Sequence, residues 1–188
     1  VGTMSLIKTS QFFGIDTNPF AIELAKITLM IGKKLALDEI NNFDMNLQLN
    51  LDIEIENSLP LDNLDQNFFC GDALLDIQEW EKVDFIIGNP PFQAKNKMVK
   101  KFGRDYVDKL RGNFPEIPGR ADYCVYWFRK SHDNLIQGGG AGLVGTNTIR
   151  QNYSREGGLD YIVDNGGTIV EAVSTQVWPG DAVVNVSI

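Results

Sequence analysis

Cysteine, histidine and long apolar runs are what this 188-residue chain has least of. Its two cysteines, Cys70 and Cys124, sit among apolar neighbours with no CxxC pair or Cys/His cluster beside them. That pattern argues against a metal site or a disulfide framework and reads as two buried free thiols, so no metal is expected. His132, the only histidine, has no nucleophile at a telling spacing and reads as a surface or cap residue. No stretch approaches the roughly 18 to 20 apolar residues needed to cross a bilayer. The N-terminus also lacks the basic, apolar and small-residue segments of a secretory signal, and a cytoplasmic location is expected. Internal repeats and low-complexity tracts are missing too. With 43% hydrophobic and 22% charged residues, the chain is long enough for one sizeable core and short for two, which predicts a single soluble domain over residues 1–188.

A basic surplus is also lacking, since the formal net charge is -8. Phosphate binding rests on Lys and Arg, so this average argues against a nucleic-acid partner. The average conceals a polarised chain. Ten basic residues (Lys95, Lys97, Lys100, Lys101, Arg104, Lys109, Arg111, Arg120, Arg129, Lys130) face four acidic ones between Gln93 and Lys130, while Leu37 to Gln66 holds eight acidic residues and no basic one.

Four apolar runs end alike. Ser10 to Ile15 leads to Asp16, Asn67 to Gly71 to Asp72, Val83 to Gly88 to Asn89, and Ala141 to Gly145 to Thr146 and Asn147. Each reads as a short buried strand that stops at a polar residue. A helix between the first two is predicted from Asn18 as cap, Pro19 in the first turn, and Leu24, Ile27, Ile31 and Leu35 repeating on one face. The segment Ala36 to Gln66 has some alternation, as in Leu47 to Ile55, which suggests an added strand or hairpin edge. A second helix, about Arg120 to Ile136, carries Tyr123, Tyr126, Trp127 and Phe128, which read as core, and runs into Gly138, Gly139 and Gly140, which read as a C-cap turn. Later strands are predicted over Gly167 to Val173 and Ala182 to Ile188. Strands alternating with helices imply an α/β fold with a mostly parallel sheet covered on both faces, whose ligands bind at the carboxyl ends of the strands. Asp16, Asp72 and Asn89 are therefore expected to converge.

Asn89-Pro90-Pro91-Phe92 is the sharpest signal. Two successive prolines fix φ and stiffen the turn. The Asn89 side-chain carbonyl and the Pro90 main-chain carbonyl then form two aimed acceptors, and Phe92 offers a flat face. An aromatic amine has its lone pair delocalised into the ring. Two acceptors that hold the amino hydrogens favour the more tetrahedral nitrogen which methyl transfer requires, and a base buried in a duplex would have to be flipped out to reach them.

Ile87-Gly88-Asn89-Pro90-Pro91-Phe92 resembles the catalytic motif of amino-group methyltransferases, particularly the adenine-N6 DNA enzymes of restriction-modification systems. Asp16, after Gln11-Phe12-Phe13-Gly14-Ile15, looks like the acid that binds the ribose hydroxyls of S-adenosylmethionine in that family. Asp72 in Cys70-Gly71-Asp72-Ala73-Leu74 matches the one that meets the cofactor's adenine amino group. Asn57 to Leu61, Arg120 to Tyr123, Val144 to Gln151 and Val177 to Ala182 are similar, in the same order, to stretches of large single-chain enzymes that fuse a nuclease, an adenine methyltransferase and a target-recognition domain. The resemblance implies a Rossmann-like class I methyltransferase fold. It further implies S-adenosylmethionine as cofactor, bound by Asp16, Asp72, Ala73 and Asn89, and catalysis by Asn89, Pro90, Pro91 and Phe92 on a flipped adenine of double-stranded DNA, with direct in-line transfer and no metal.

The family's first strand and Gly-rich loop should precede Gln11, and Val1 to Ser10 contains neither. An incomplete domain of a larger restriction-modification or phage-defence protein is expected, with exposed strand edges and no turnover on its own. Ribosomal RNA guanine-N2 and protein glutamine methyltransferases also use Asn-Pro-Pro-aromatic loops, and a degenerate, non-catalytic module of the same fold is the remaining alternative.

Overall fold

The computed structural model describes residues 7–47, 63–77, 79–177 and 185–187. The fold is mixed α/β and separates into two units, Val1–Asp76 and Ile77–Ile188.

The first unit opens with a 3-10 turn, Thr9–Gln11, where the apolar run predicts strand from Ser10. Gln11 competes for the local backbone: its Oε1 accepts the Lys8 N–H at 2.6 Å, and its own N–H donates to the Lys8 carbonyl at 3.0 Å. The strand, β1 (Gly14–Asp16), therefore starts later and pairs in parallel with β2 (Phe68–Cys70). Asn67 ties the entry of this pair together, with Nδ2 donating to the Ser10 carbonyl at 2.8 Å and its carbonyl accepting from Gly14 at 3.0 Å. Between the strands runs α1 (Pro19–Leu47), started as predicted: Asn18 Oδ1 accepts the Phe20 N–H at 3.0 Å and Pro19 occupies the first helical position.

α1 continues well past Ala36, so the alternating segment begins as helix; Gln48 to Ile55 and Asn57 to Leu61 lie outside the described residues. Ile22, Leu64 and Leu74 are buried together with Lys26, whose ammonium bridges Asp65 at 2.7 Å and Glu23 at 2.8 Å. The hydrogen bond it donates to Asp65, then that to Glu23, raises the Lys26 pKa above its usual range. Leu24, Ile27, Ile31 and Leu35 do share a face at helical spacing, but that face is exposed. The side this unit buries is the one bearing Ile22 and Lys26.

In the second unit β3 (Val83–Gly88) coincides with its predicted run and pairs in parallel with β4 (Leu135–Leu143). These strands are less buried than predicted, with Phe85 and Ile87 largely exposed. The three glycines expected to form a helix C-cap lie inside β4. Val83 pairs with Leu135 but Phe85 with Gly140, so β4 spends five residues where β3 spends two, with Gly138 at φ 83° in the bulge. Glycine is required next to it, because a Cβ on Gly139 would lie 2.8 Å from the Asp84 carbonyl oxygen. Gly139→Ala is expected to destabilise the unit by about 1–3 kcal/mol, the range for forcing extra atoms into a packed site, read as a lowered denaturation midpoint.

Between β3 and β4 lie α2 (Met98–Phe102), α3 (Arg104–Asn113) and α4 (Val125–Asn134). α2 and α3 are separated by Gly103 at φ 86°. Met98, Val107, Leu110, Tyr123, Cys124, Val125 and Tyr126 form the bulk of the core. α4 starts five residues later than predicted because the preceding donors are spent elsewhere: Ala121 N–H on the Pro118 carbonyl, Asp122 N–H on Ser154 Oγ and Tyr123 N–H on the Gln93 carbonyl. His132 sits in its last turn, edge-on to Tyr161.

A third sheet is only partly expected from the sequence: its strand at Asn185–Ser187 falls inside the run predicted over Ala182 to Ile188, of which Ala182 to Val184 and Ile188 lie outside the described residues. β5 (Gly145–Thr146), β6 (Gln176–Val177) and β7 (Asn185–Ser187) are antiparallel in the order β5-β7-β6. In place of the one mostly parallel sheet predicted, the described residues form two separate parallel pairs and this antiparallel sheet. β5 is followed by α5 (Asn152–Arg155), a π-helical turn at Glu156–Asp160 and α6 (Tyr161–Asp164). No strand forms over Gly167 to Val173. Gly166, at φ 86°, and Gly167, whose N–H donates to the Ile162 carbonyl at 2.8 Å, instead terminate α6. No helix among the described residues is long and apolar enough to cross a membrane.

Candidate functional site

The parallel pairing of β1 with β2 sets Asp16 opposite Cys70, and the Gly71 N–H donates to the Asp16 carbonyl at 2.9 Å. Asp16 and Asp72, 56 positions apart in the chain, are thereby brought to the same carboxyl end of one strand pair. Asp16 is exposed and its Oδ1 accepts the Asn18 N–H at 2.7 Å, an Asx turn that hands the chain on to the capped start of α1. Asp72 is half-buried. Its Oδ1 accepts the N–H groups of Leu74 at 2.8 Å and Leu75 at 3.0 Å, closing the turn that contains Ala73. Each acid thus performs a local turn role with one oxygen, and that role fixes its side chain in a single orientation. Asp76 was missed at the sequence level. Its Oδ2 accepts the Asp72 N–H at 2.8 Å and its N–H returns a bond to the Asp72 carbonyl at 2.9 Å; the i, i+4 acid pair was the available signal.

In the second unit Gly88 pairs with Leu143, and its carbonyl accepts the Val144 N–H at 3.1 Å. Asn89-Pro90-Pro91-Phe92 leaves the carboxyl end of β3 directly after that bond. Pro90 is buried, Phe92 is half-buried, and Asn89 and Pro91 are exposed, so the corner is anchored at one proline while the amide beside it faces solvent.

The chain just beyond the corner is clamped from behind. The Gln93 carbonyl accepts the Tyr123 N–H at 3.0 Å, and the Lys95 N–H donates to Asp122 Oδ1 at 3.1 Å. The other Asp122 oxygen accepts the hydroxyls of Thr146, at 3.2 Å, and Thr148, while the Asp122 N–H reaches Ser154 Oγ at 3.0 Å. One buried aspartate therefore joins the segment after Phe92 to β5 and the turn behind it through its carboxylate, and to α5 through its backbone N–H. Tyr123 is buried among Phe102, Trp127 and Tyr126 and bonds through its hydroxyl to Tyr106, so it belongs to the core, in keeping with its place on an aromatic-rich stretch. Asp122 had no role at the sequence level, although the stretch Arg120 to Tyr123 stood out and Thr146-Asn147-Thr148 places two hydroxyls on one side.

Residues 2–188 match the family of the MmeI DNA-methyltransferase domain. The chain belongs to this family. No curated protein matches it. Membership makes this a DNA-methyltransferase domain of restriction-modification type, acting on DNA and requiring a methyl donor.

The two thiols of this MmeI-type domain differ, which corrects the reading of both as buried: Cys70 is exposed and Cys124 is buried. Burial pushes the Cys124 thiol above its ordinary range, with a weaker opposing pull from the Thr146 hydroxyl 3.5 Å away. The thiolate is the reactive form. Labelling the native domain with a thiol reagent near pH 8 is expected to modify Cys70 quickly and Cys124 only on unfolding, which mass spectrometry of the labelled peptides would read.

Proposed function

We propose that this domain transfers a methyl group from S-adenosylmethionine to the N6 amino group of adenine in double-stranded DNA, on a base turned out of the helix, within one partial Rossmann-like methyltransferase domain. The observation that carries the reading is the Asn-Pro-Pro-Phe corner at the carboxyl end of a parallel strand, with Pro90 buried and the Asn89 amide exposed.

The residues present fit the cofactor. Two carboxylates stand at one strand end of a parallel pair, the position where α/β sheets bind nucleotides, and both are oriented by backbone donors. Asp16 would hold the ribose hydroxyls, and Asp72 with Ala73 would hold the adenine of the cofactor. S-adenosylmethionine, when bound, supplies a methyl group on a positively charged sulfur, ready for direct displacement. Asn89 Oδ1 accepts one hydrogen of the target amine and the Pro90 carbonyl the other, which concentrates the lone pair on nitrogen. Phe92 stacks on the base, contributing about 1–3 kcal/mol towards the few kcal/mol that extrusion costs. The backbone clamp at Gln93 and Lys95 keeps these acceptors aimed.

The test is product identity. The intact protein, given S-adenosylmethionine labelled on its methyl group and duplex DNA, should yield label in N6-methyldeoxyadenosine after digestion to nucleosides. Label confined to cytosine, or appearing only when RNA or protein is the substrate, would overturn the assignment.

A further inference from the structure

The ten basic residues between Gln93 and Lys130 cease to be equivalent once their partners are known. Arg129 is 6% exposed; its guanidinium lies over the Tyr161 ring, with carboxylate oxygens of Glu116 at 3.8 Å and Asp133 at 3.6 Å. Lys130 is buried, donates to the Ile77 carbonyl and covers the Trp80 ring. Arg111 donates to the Gly119 carbonyl at 2.8 Å. These three serve the packing of the unit.

A second set faces solvent. Lys97, Lys100 and Lys101 are all exposed and, with Gln93, line a shallow open hollow of about 420 Å³ beginning one residue after Phe92. Three like charges around one concavity repel each other, and an anion bound among them relieves that repulsion. The strip continues through the 3-10 turn Lys95–Lys97. The Lys95 ammonium stands 5.7 Å and the Arg120 guanidinium 5.8 Å from the centroid of Tyr153, a ring that is 40% exposed. Asn152, directly before it, holds a left-handed φ of 46°. The Lys95 backbone is itself fixed by Asp122.

We infer that this strip is the backbone-phosphate site for the DNA strand carrying the extruded base. The lysine hollow takes one phosphate, and Lys95 and Arg120, spaced by Tyr153, take the adjoining part of the backbone. Arg104 and Lys109, exposed on α3 and outside both groups, take no part. The inference rests on DNA being the substrate, and it divides a uniformly basic segment into contacts and bystanders.

The test is equilibrium binding of the intact protein to a fluorescent duplex across a salt series. Each phosphate contact contributes about 0.9 to the slope of log affinity against log salt. Lys100→Ala with Lys101→Ala should flatten that slope by about 0.9, the one phosphate contact the hollow supplies, and weaken binding on the order of tenfold near 0.1 M salt. Lys100→Arg with Lys101→Arg should restore both, and Arg104→Ala with Lys109→Ala should leave both unchanged. An unchanged slope in the first variant, or an equal loss in the α3 variant, overturns the site while leaving the methylated product untouched. If the unsubstituted protein shows no salt-dependent duplex binding, the DNA reading falls and this site with it.

Discussion

Asn89→Ala in the intact protein is expected to lower the single-turnover rate of methyl transfer by on the order of 10² or more, the scale for losing one preorganised polar group aimed at a reacting centre. Binding of the duplex should change by less than about threefold, because affinity for DNA comes mainly from phosphate contacts, and the role proposed for this amide is toward the base. The fold of the unit should also survive. Asn89 is exposed, whereas the corner's anchor is the buried Pro90 and the bond from Val144 to the Gly88 carbonyl, neither of which the substitution touches. A variant with an unchanged rate would contradict the role given to the amide. A variant whose rate and thermal midpoint fall together would show that the residue acts on structure.

Asp122→Ala is expected to have the largest effect on stability, and through it on the reaction. Asp122 is buried, and its carboxylate accepts from the Lys95 N–H and from the hydroxyls of Thr146 and Thr148 in part-buried bonds. Hydrogen bonds to a charged acceptor contribute about 1.5–3 kcal/mol each, and donors left unsatisfied add their own desolvation cost. A loss of about 3 kcal/mol or more is expected in chemical denaturation. Thr148→Val, which removes one of the donors, should cost about 1–2 kcal/mol. Asp122→Asn keeps acceptor capacity in a similar shape and should fall between the two. If Asp122 holds the segment after Phe92 in place, Asp122→Asn will also slow methyl transfer under conditions where the variant remains folded, an effect that a purely structural role in the core would not produce.

How far these features could be read from the residues depends on whether their cause is local. β3 was legible to the residue because an apolar run bounded by a polar turn has one strand solution. The start of α1 was equally legible, since Asn18 and Pro19 act within a single turn. Asp16 and Asp72 could be placed at strand ends from sequence, and their meeting then came from the parallel pairing of β1 with β2. Features set by distant partners escaped that reading. Arg120 to Cys124 has helical character, yet it stays out of α4 because Gln93 and Ser154, remote in sequence, claim its N–H groups. Gly138 to Gly140 comes after a helix as a cap would, but the approach of Asp84 gives the glycines a place inside a strand. β7 lies inside the strand predicted over Ala182 to Ile188, but its antiparallel pairing with β5 and β6 joins short segments from distant parts of the second unit's chain, which no local periodicity reveals. The charge pattern was legible as a sum but not as roles: only partners distinguish Arg129, packed on Tyr161, from Lys100, facing water.

The unequal spacing within the β3 and β4 pair has a consequence for how this domain tolerates change. Because the slack is confined to Ile136 to Gly139, the rungs from Phe85 opposite Gly140 to Gly88 opposite Leu143 are indexed independently of the length of chain that arrives from α4. A residue added or removed beside Gln137 should be absorbed there, leaving the alignment of Gly88, and hence the position of Asn89, where it was. The bulge works as a slip joint: helices on one side can vary in extent over evolutionary time while the Asn-Pro-Pro-Phe corner keeps its register.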